Sequence, residues 1–151
     1  MKTKDFSLQA TKNGGKITAF NYSRRLNELC GSWSANAVNG TFTAGETISF
    51  KDVMTNGIIA KARKDSSGLW HIEGYDAGIR LMCSIPDIED LPEGNAQTVI
   101  QSLANLCGIA LDMPLTGLSN CNVRSLISGS TCAEAVLELA MYSGYVAFID
   151  R

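Results

Sequence analysis

The stretch Ala96-Gln-Thr-Val-Ile-Gln-Ser-Leu-Ala-Asn-Leu-Cys-Gly108 recurs in outline as Cys132-Ala-Glu-Ala-Val-Leu-Glu-Leu-Ala-Met-Tyr-Ser-Gly144. When the two are aligned on their glycines, both contain Leu-Ala-x-x-(Cys/Ser)-Gly, and each runs into an apolar stretch, residues 109–111 and 145–149. The pattern predicts a helix, a glycine stop and a short strand, present twice. This repeat is typical of architecture rather than of a reaction centre.

Both predicted helices carry start and stop signals. Asn95 can cap the first helix through its side-chain oxygen, and Thr131 with Glu134 forms a capping box for the second. Gly108 and Gly144 supply the left-handed residue that ends many helices. Small and apolar residues recur at the spacing of one helical face. The predicted buried faces are Val99, Ile100, Leu103, Ala104 and Cys107 in the first helix, and Ala135, Val136, Leu139, Ala140 and Ser143 in the second.

The chain up to about residue 84 has the pattern of strands and turns. Strand formers or alternation mark residues 17–22, 47–50, 58–63 and 69–74. Because successive side chains of a strand point to opposite faces, Trp70 and Ile72 are predicted to face the core, and His71 and Glu73 the other side. Asn56-Gly57 fits either a hairpin turn or a bulge within a longer strand. Residues 23–30 fit either a short helix or a strand.

These patterns predict an α+β fold in one domain, residues 1–151. A strand-rich part, residues 1–84, forms a small antiparallel β-barrel-like sheet. An acidic connector with prolines follows, residues 85–94, and then come the two capped helices, each leading into a short strand, residues 95–151. A chain of this length can bury a sizeable core.

Composition and charge argue against several classes of function and of binding partner. The formal net charge is −2, so no basic field favours nucleic acid or an anionic membrane. No apolar run reaches the length that spans a bilayer, and no apolar segment typical of a signal peptide follows the charged start. The five cysteines lack a CxxC pair, which favours reduced thiols in a cytoplasm over a disulfide framework. They are Cys30, Cys83, Cys107, Cys121 and Cys132.

Candidate chemical groups are present, but none forms a specific motif. His71 is the single histidine, with Glu73 on its face and Asp76 nearby, and a Cys–His nucleophile would need one thiol close to it. Structural zinc needs two close-spaced ligand pairs, which are missing. A carboxylate cluster in the connector lacks the calcium-loop frame, and the basic residues fit a solvated sheet edge or face. These two groups are Asp87, Glu89, Asp90 and Glu93, and Arg24, Arg25, Lys61, Arg63 and Lys64. The sequence therefore predicts no catalytic residue, no cofactor and no metal.

The order of elements resembles the N-terminal barrel of phage tail hub proteins. The residues that carry the resemblance are Gly45-Glu-Thr-Ile-Ser-Phe50, Thr55-Asn-Gly-Ile-Ile-Ala60, and Trp70-His-Ile-Glu-Gly-Tyr-Asp76 with Ile79-Arg-Leu81. The two Leu-Ala-x-x-x-Gly helices are similar to the helical insert that follows that barrel, the second leading to Phe148-Ile-Asp150. Residues 17–30 are compatible with the family's opening strand and its Arg-x-Leu region. The resemblance extends from about residue 16 to the end of the chain.

The resemblance implies a structural virion protein of the baseplate or tail-tip hub, which links the tail tube to the tip or spike. It implies a homotrimer that contacts other tail proteins, no catalysis, and a place in the virion tail after synthesis in the bacterial cytoplasm. Family members are longer, so the chain is expected to be a fragment, a split hub or a smaller relative. Two alternatives are a cysteine-dependent hydrolase using His71, and a small carbohydrate-binding barrel with Trp33 and Trp70 as exposed stacking platforms.

Overall fold

The structure, a computed structural model, describes residues 14–25, 28–50, 53–87, 89, 91–111 and 130–147. These residues form two compact units. The first contains the described residues up to 25 and from 30 to 77; the second contains residues 28–29 and the described residues from 78 onward. The first unit is a sheet and the second is helical, which confirms the α+β class.

The sheet of the first unit has five strands: β1 (Lys16–Ser23), β2 (Ser32–Val38), β3 (Thr47–Phe50), β4 (Met54–Lys64) and β5 (Trp70–Tyr75). Their order across the sheet is β1-β2-β5-β4-β3, and every neighbouring pair is antiparallel. The β2–β5 pair is the one that joins distant parts of the sequence. It places Ala35 opposite Ile72 and Trp33 opposite Gly74.

The sheet curls around an aromatic core. The rings of Phe20 on β1 and Phe50 on β3 lie 4.6 Å apart, although these strands are the two opposite edges of the sheet. The Trp33 ring meets Phe50 edge-on at 5.0 Å. Such contacts between edges require a half-barrel, which confirms the barrel-like sheet. The buried apolar residues of this core are Ile17, Trp33, Ala35, Ala37, Phe42, Ile48, Phe50, Met54, Ile59 and Ile72.

The predicted two faces of β5 are confirmed. Ile72 is buried in the core and Trp70 packs against it, whereas Glu73 is exposed on the other face. Gly74 also faces inward, because a Cβ there would lie 2.1 Å from the Ile58 carbonyl oxygen and 2.5 Å from the Trp33 ring. Only a glycine allows the indole to lie this close to β5.

The Asn56-Gly57 pair lies inside β4, so the bulge alternative is the observed one. Ile48 pairs with Gly57 and Phe50 with Met54, which leaves one extra residue on the β4 side. Asn56 takes a positive φ of 55° there, and its N–H donates to the Ser49 hydroxyl at 3.1 Å. The hairpin-turn alternative is wrong because the reversal occurs before residue 54.

The second unit contains three helices: α1 (Ile79–Cys83), α2 (Ala96–Leu106) and α3 (Cys132–Tyr142). Both predicted caps are confirmed, since the Asn95 side chain accepts from Thr98 N–H and the Thr131–Glu134 capping box is complete. The hydrogen bonds from Thr131 lower the pKa of the Glu134 carboxyl. The two stop glycines are left-handed, with φ of 64° at residue 108 and 77° at residue 144. Local sequence signals therefore set both ends of each long helix.

The predicted faces of α2 and α3 build the helical core, with Leu103 and Leu139 fully buried. The other buried members are Leu29, Leu81, Leu91, Ala96, Val99, Ile100, Cys107, Cys132, Ala133, Ala135 and Val136. Ser143, predicted to be buried, is half-exposed and donates through its hydroxyl to the Leu139 carbonyl at 2.7 Å.

The short strands predicted after the helices are not found in the described residues. Residues 109–111 and 145–147 are irregular, and residues 148–149 lie outside the described part of the chain. The N–H groups of Ile109 and Tyr145 each donate at 2.9 Å to a carbonyl of the preceding helix, Ala104 and Ala140. Ile109, Leu111 and Ala147 pack on the helical core. The prediction assigned these residues to strand pairing, but their backbone N–H groups bond to the ends of the helices and their side chains pack on the helical core.

Candidate functional site

His71 lies on the outer face of the sheet, where its ring joins two side chains that sequence reasoning had not connected with it. Nδ1 lies 2.9 Å from Asn36 Oδ1, and Nε2 lies 3.2 Å from Asp65 Oδ2. Asn36 stands directly opposite His71 in the β2–β5 pairing, and Asp65 belongs to the β4–β5 turn. Glu73 is one strand position further along this face and is not part of the network.

Asp65 organises the turn between β4 and β5 as well as holding His71. Its Oδ1 accepts from the Ser67 hydroxyl at 2.6 Å, the Ser67 N–H at 2.9 Å and the Leu69 N–H at 3.0 Å. Together these bonds lower the pKa of Asp65 from 3.8 to about 2. The bond from the Ser67 hydroxyl has the largest effect, burial opposes it by a smaller amount, and the bond with His71 adds to it. An aspartate that caps a turn accounts for this network without a substrate.

We expect the Asp65 carboxyl to titrate with a midpoint of about 2 in a carbon-detected NMR pH titration. Because its folded-state pKa lies below the ordinary value, the hydrogen bonds stabilise the folded state fully above that value. Their contribution is lost as the pH falls from 3.8 to about 2. Ser67→Ala removes the largest cause and is expected to move the midpoint back toward 3.8. A wild-type midpoint already at 3.8 would contradict the turn geometry.

A Cys–His nucleophile needs an imidazole nitrogen that faces a thiol. In the structure both ring nitrogens of His71 are engaged, one with Asn36 and one with Asp65. Cys132 is fully buried, and burial together with the adjacent Cys107 thiol raises its pKa to about 12. A raised pKa suppresses the thiolate that such chemistry requires. Cys121 lies outside the described residues.

Asp76 is the one charged side chain that is buried among the described residues, at 4% exposure. Its Oδ2 accepts from the Tyr22 hydroxyl at 2.7 Å and from the Gly31 N–H at 2.8 Å, and its own N–H donates to the Gly31 carbonyl at 3.0 Å. These bonds join the end of β5 to β1 and to the start of β2. Asp76 therefore faces away from the His71 network, and its geometry is that of a structural residue.

The two tryptophans predicted as exposed platforms are not arranged in that way. Trp33 is 3% exposed, and its Nε1–H donates to the Tyr75 carbonyl at 2.9 Å. Trp70 is half-buried, packs edge-on against Phe42 at 5.6 Å and lies under the Lys64 ammonium at 5.7 Å. Among the described residues of the sheet unit, Tyr75 is the most exposed aromatic residue, at 40% exposure.

A groove of about 270 Å³ lies on the outer face of the sheet, over β1, β2, β5 and the bulged part of β4. Most of the side chains that line it are short, and the longer ones, Glu73 and Tyr75, both lie on β5. Sequence reasoning missed this groove, since its members lie on four strands. They are Asn21, Ser23, Ser32, Trp33, Ser34, Ala60, Glu73, Gly74 and Tyr75.

The acidic cluster of the connector and the basic residues of β4 do not form a binding site among the described residues. Asp87 accepts from the Glu89 N–H at 3.1 Å, which is a turn contact, and Asp90 lies outside the described residues. No group of three or more potential metal ligands occurs in the part of the chain that the structure describes. Lys61 and Arg63 lie exposed along β4.

Two surfaces of the described residues are open to contact with another protein: the edges of the sheet and an apolar region at the end of α3. Within the described strands, β1 pairs only with β2, and β3 pairs only with β4. In the second unit several large apolar side chains are exposed near the end of α3, namely Met141, Tyr142 and Val146, at 65% to 70%. Among the described residues no helix has the length and apolar character needed to cross a bilayer.

A scan against protein-family models, a search of curated proteins and a search of solved structures each returned no match for this chain.

Proposed function

We propose that this protein is a structural component of a phage or phage-like tail, located in the virion and acting in the baseplate or tail-tip hub. It associates with copies of itself as a homotrimer and with neighbouring tube, spike or tip proteins, and it has no catalytic role. The order of a curled sheet followed by capped helices supports the proposal, because the sequence resembles the hub barrel and its helical insert in that order.

The observation that carries the proposal is the pair of sheet edges that lack a second neighbour within the described strands. β1 is eight residues long, and an edge of this length presents a row of backbone donors and acceptors to any available strand. Rings of identical subunits cover such edges by pairing one subunit with the next.

The exposed apolar residues at the end of α3 support the same role. Met141 and Tyr142 lie on the last turn of the helix, and Val146 follows the stop glycine by two residues. Clustered exposed apolar surface marks contact sites in soluble proteins. These side chains suit a contact with a protein neighbour, since no charged side chain occurs between residues 139 and 149.

Hydrogen exchange at increasing protein concentration tests the edge directly. In an isolated subunit the β1 amides that face away from β2 exchange quickly, and pairing with a second subunit protects them. We expect protection of residues 16–23 to rise with concentration, together with a trimeric mass in native mass spectrometry. The amides of α2 serve as the internal control, because their bonds lie within the helix and do not depend on assembly.

Val146→Asp is expected to shift the protein from trimer to monomer at a given concentration, because a carboxylate at the contact must be desolvated. Gln97→Asp, at an exposed position of α2, is the matched control and is expected to leave the mass unchanged. A wild-type protein that stays monomeric at every concentration, alone and with tail tube and spike proteins, would refute the proposed function.

A further inference from the structure

The groove on the outer face of the sheet, defined by the nine residues above, has the size of a small ligand site. Pockets for drug-sized molecules enclose roughly 300–1,000 Å³, and this groove measures about 270 Å³. It therefore suits a ligand of about one six-membered ring with its substituents. Its walls come from neighbouring antiparallel strands, so they are held at a spacing set by backbone hydrogen bonds.

The polar side chains of the groove have unused hydrogen-bonding capacity. The side chains of Asn21, Ser32, Ser34 and Glu73 form no hydrogen bond with another described residue. Further along the same face, Asn36 and His71 satisfy each other, so the available groups are concentrated at the groove. An amide, two hydroxyls and a carboxylate provide both donors and acceptors across three neighbouring strands. Neighbouring hydroxyls on a sugar require such a mixture.

Tyr75 adds an apolar surface to this polar set. Its ring is 40% exposed, while its backbone is held in place, because its carbonyl accepts from Trp33 Nε1–H. An aromatic ring with a polar rim is suited to ligands that have one apolar and one polar aspect. A pyranose is such a ligand, since its axial C–H bonds form an apolar face and its hydroxyls point outward.

The charge of the groove further limits the class of ligand that can bind there. Glu73 is the one ionisable carboxylate that lines it, and no basic side chain does. Lys61 stands opposite Glu73 in the β4–β5 pairing and offsets its charge, so the groove has no excess charge that would favour an ionic ligand. A neutral sugar can donate to the carboxylate through a hydroxyl. We propose that this groove binds a neutral pyranose unit of a glycan, with Tyr75 stacking on the ring and Glu73, Asn21, Ser32 and Ser34 bonding its hydroxyls. The inference does not depend on the assembly role.

The test is a titration of the full-length protein with neutral methyl pyranosides, followed by amide chemical shifts. We expect saturable shifts at residues 32–34 and 73–75 for at least one sugar, with Kd on the order of 1–10 mM for a single exposed ring. Glu73→Gln and Tyr75→Ala are each expected to weaken binding about tenfold, a change typical of losing one good contact. Glu138→Gln on α3, which removes the same charge from a residue that does not line the groove, serves as the matched control with unchanged Kd.

A further variant distinguishes a loss of binding caused by a changed groove from one caused by unfolding. Ser34→Val removes a hydroxyl from the groove and narrows it, while its β-branched side chain favours a strand. We therefore expect the spectrum of the folded protein to be retained and sugar binding to be weakened. The proposal is overturned if no neutral sugar gives saturable shifts in the groove, or if Ser34→Val and Glu73→Gln bind as the wild type does. Saturation by methylammonium but by no sugar also overturns it, because it assigns the groove to a cation.

Discussion

Replacing Phe50 with alanine is expected to lower the free energy of unfolding of the sheet unit by about 4 kcal/mol. Phe50 is 1% exposed and contacts both Phe20 and Trp33. Its removal leaves a cavity between the two edges of the sheet, where the surrounding strands cannot close without losing their pairing. Urea denaturation followed by tryptophan fluorescence measures the effect, since Trp33 and Trp70 both belong to this unit.

Phe50→Leu is the matched control for this prediction. Leucine keeps most of the buried volume, so we expect a loss of about 1 kcal/mol. If Phe50→Ala changed stability no more than Phe50→Leu does, the aromatic contact between the sheet edges would be absent in solution, and the half-barrel would be refuted with it.

Asp76→Ala is expected to destabilise the same unit by about 3 kcal/mol, because it leaves the Gly31 N–H and the Tyr22 hydroxyl without their buried acceptor. Tyr22→Phe removes one of the two bonds and is expected to lower stability by about 1.5 kcal/mol. Both are measured by the same denaturation experiment, with amide exchange at Gly31 as a local readout.

Asp76→Asn separates the hydrogen bonds from the charge. Both donors point at the same oxygen, Oδ2, so an asparagine oxygen at that position retains both bonds in neutral form. We expect a loss of about 1 kcal/mol, because hydrogen bonds to a charged group are stronger than neutral ones. An asparagine variant as unstable as the alanine variant would contradict this expectation.

Sequence patterns predicted the helices well, because the decisive interactions are local. The Asn95 cap, the Thr131–Glu134 capping box and the two left-handed glycines each involve residues within a few positions of one another. The strands with β-branched or aromatic residues were also predicted, as in β3 and β5. Hydrogen bonds and packing that act over one helical turn or along one strand leave a readable periodicity.

β2 was missed although it is a central strand of the sheet. Its sequence, Ser-Trp-Ser-Ala-Asn-Ala-Val, alternates between outer and inner faces, but serine, alanine and asparagine are weak strand formers. Only its neighbours β1 and β5 keep it extended. The alternation of Trp33, Ala35 and Ala37 with polar residues was the signal that could have found it, and it would also have placed Trp33 inside.

The surface sites could not be predicted for a related reason. The His71 network joins residues separated by 35 and 6 positions, and the groove collects residues from β1, β2, β4 and β5. Which side chains become neighbours depends on strand order and register, and one residue of slippage would reverse every face.

The sequence by itself determined the repeated helix and glycine unit that begins at Ala96 and again at Cys132. It set where each helix starts, where it stops and which face is buried. The sequence also determined which residues of β5 point inward. The tertiary structure alone decided the strand order, the burial of Trp33, the exposure of Tyr75 and the irregular course of residues 109–111 and 145–147. The physical reason is range: caps and periodicity act between near neighbours, whereas burial and strand pairing are set by chain segments far apart in sequence.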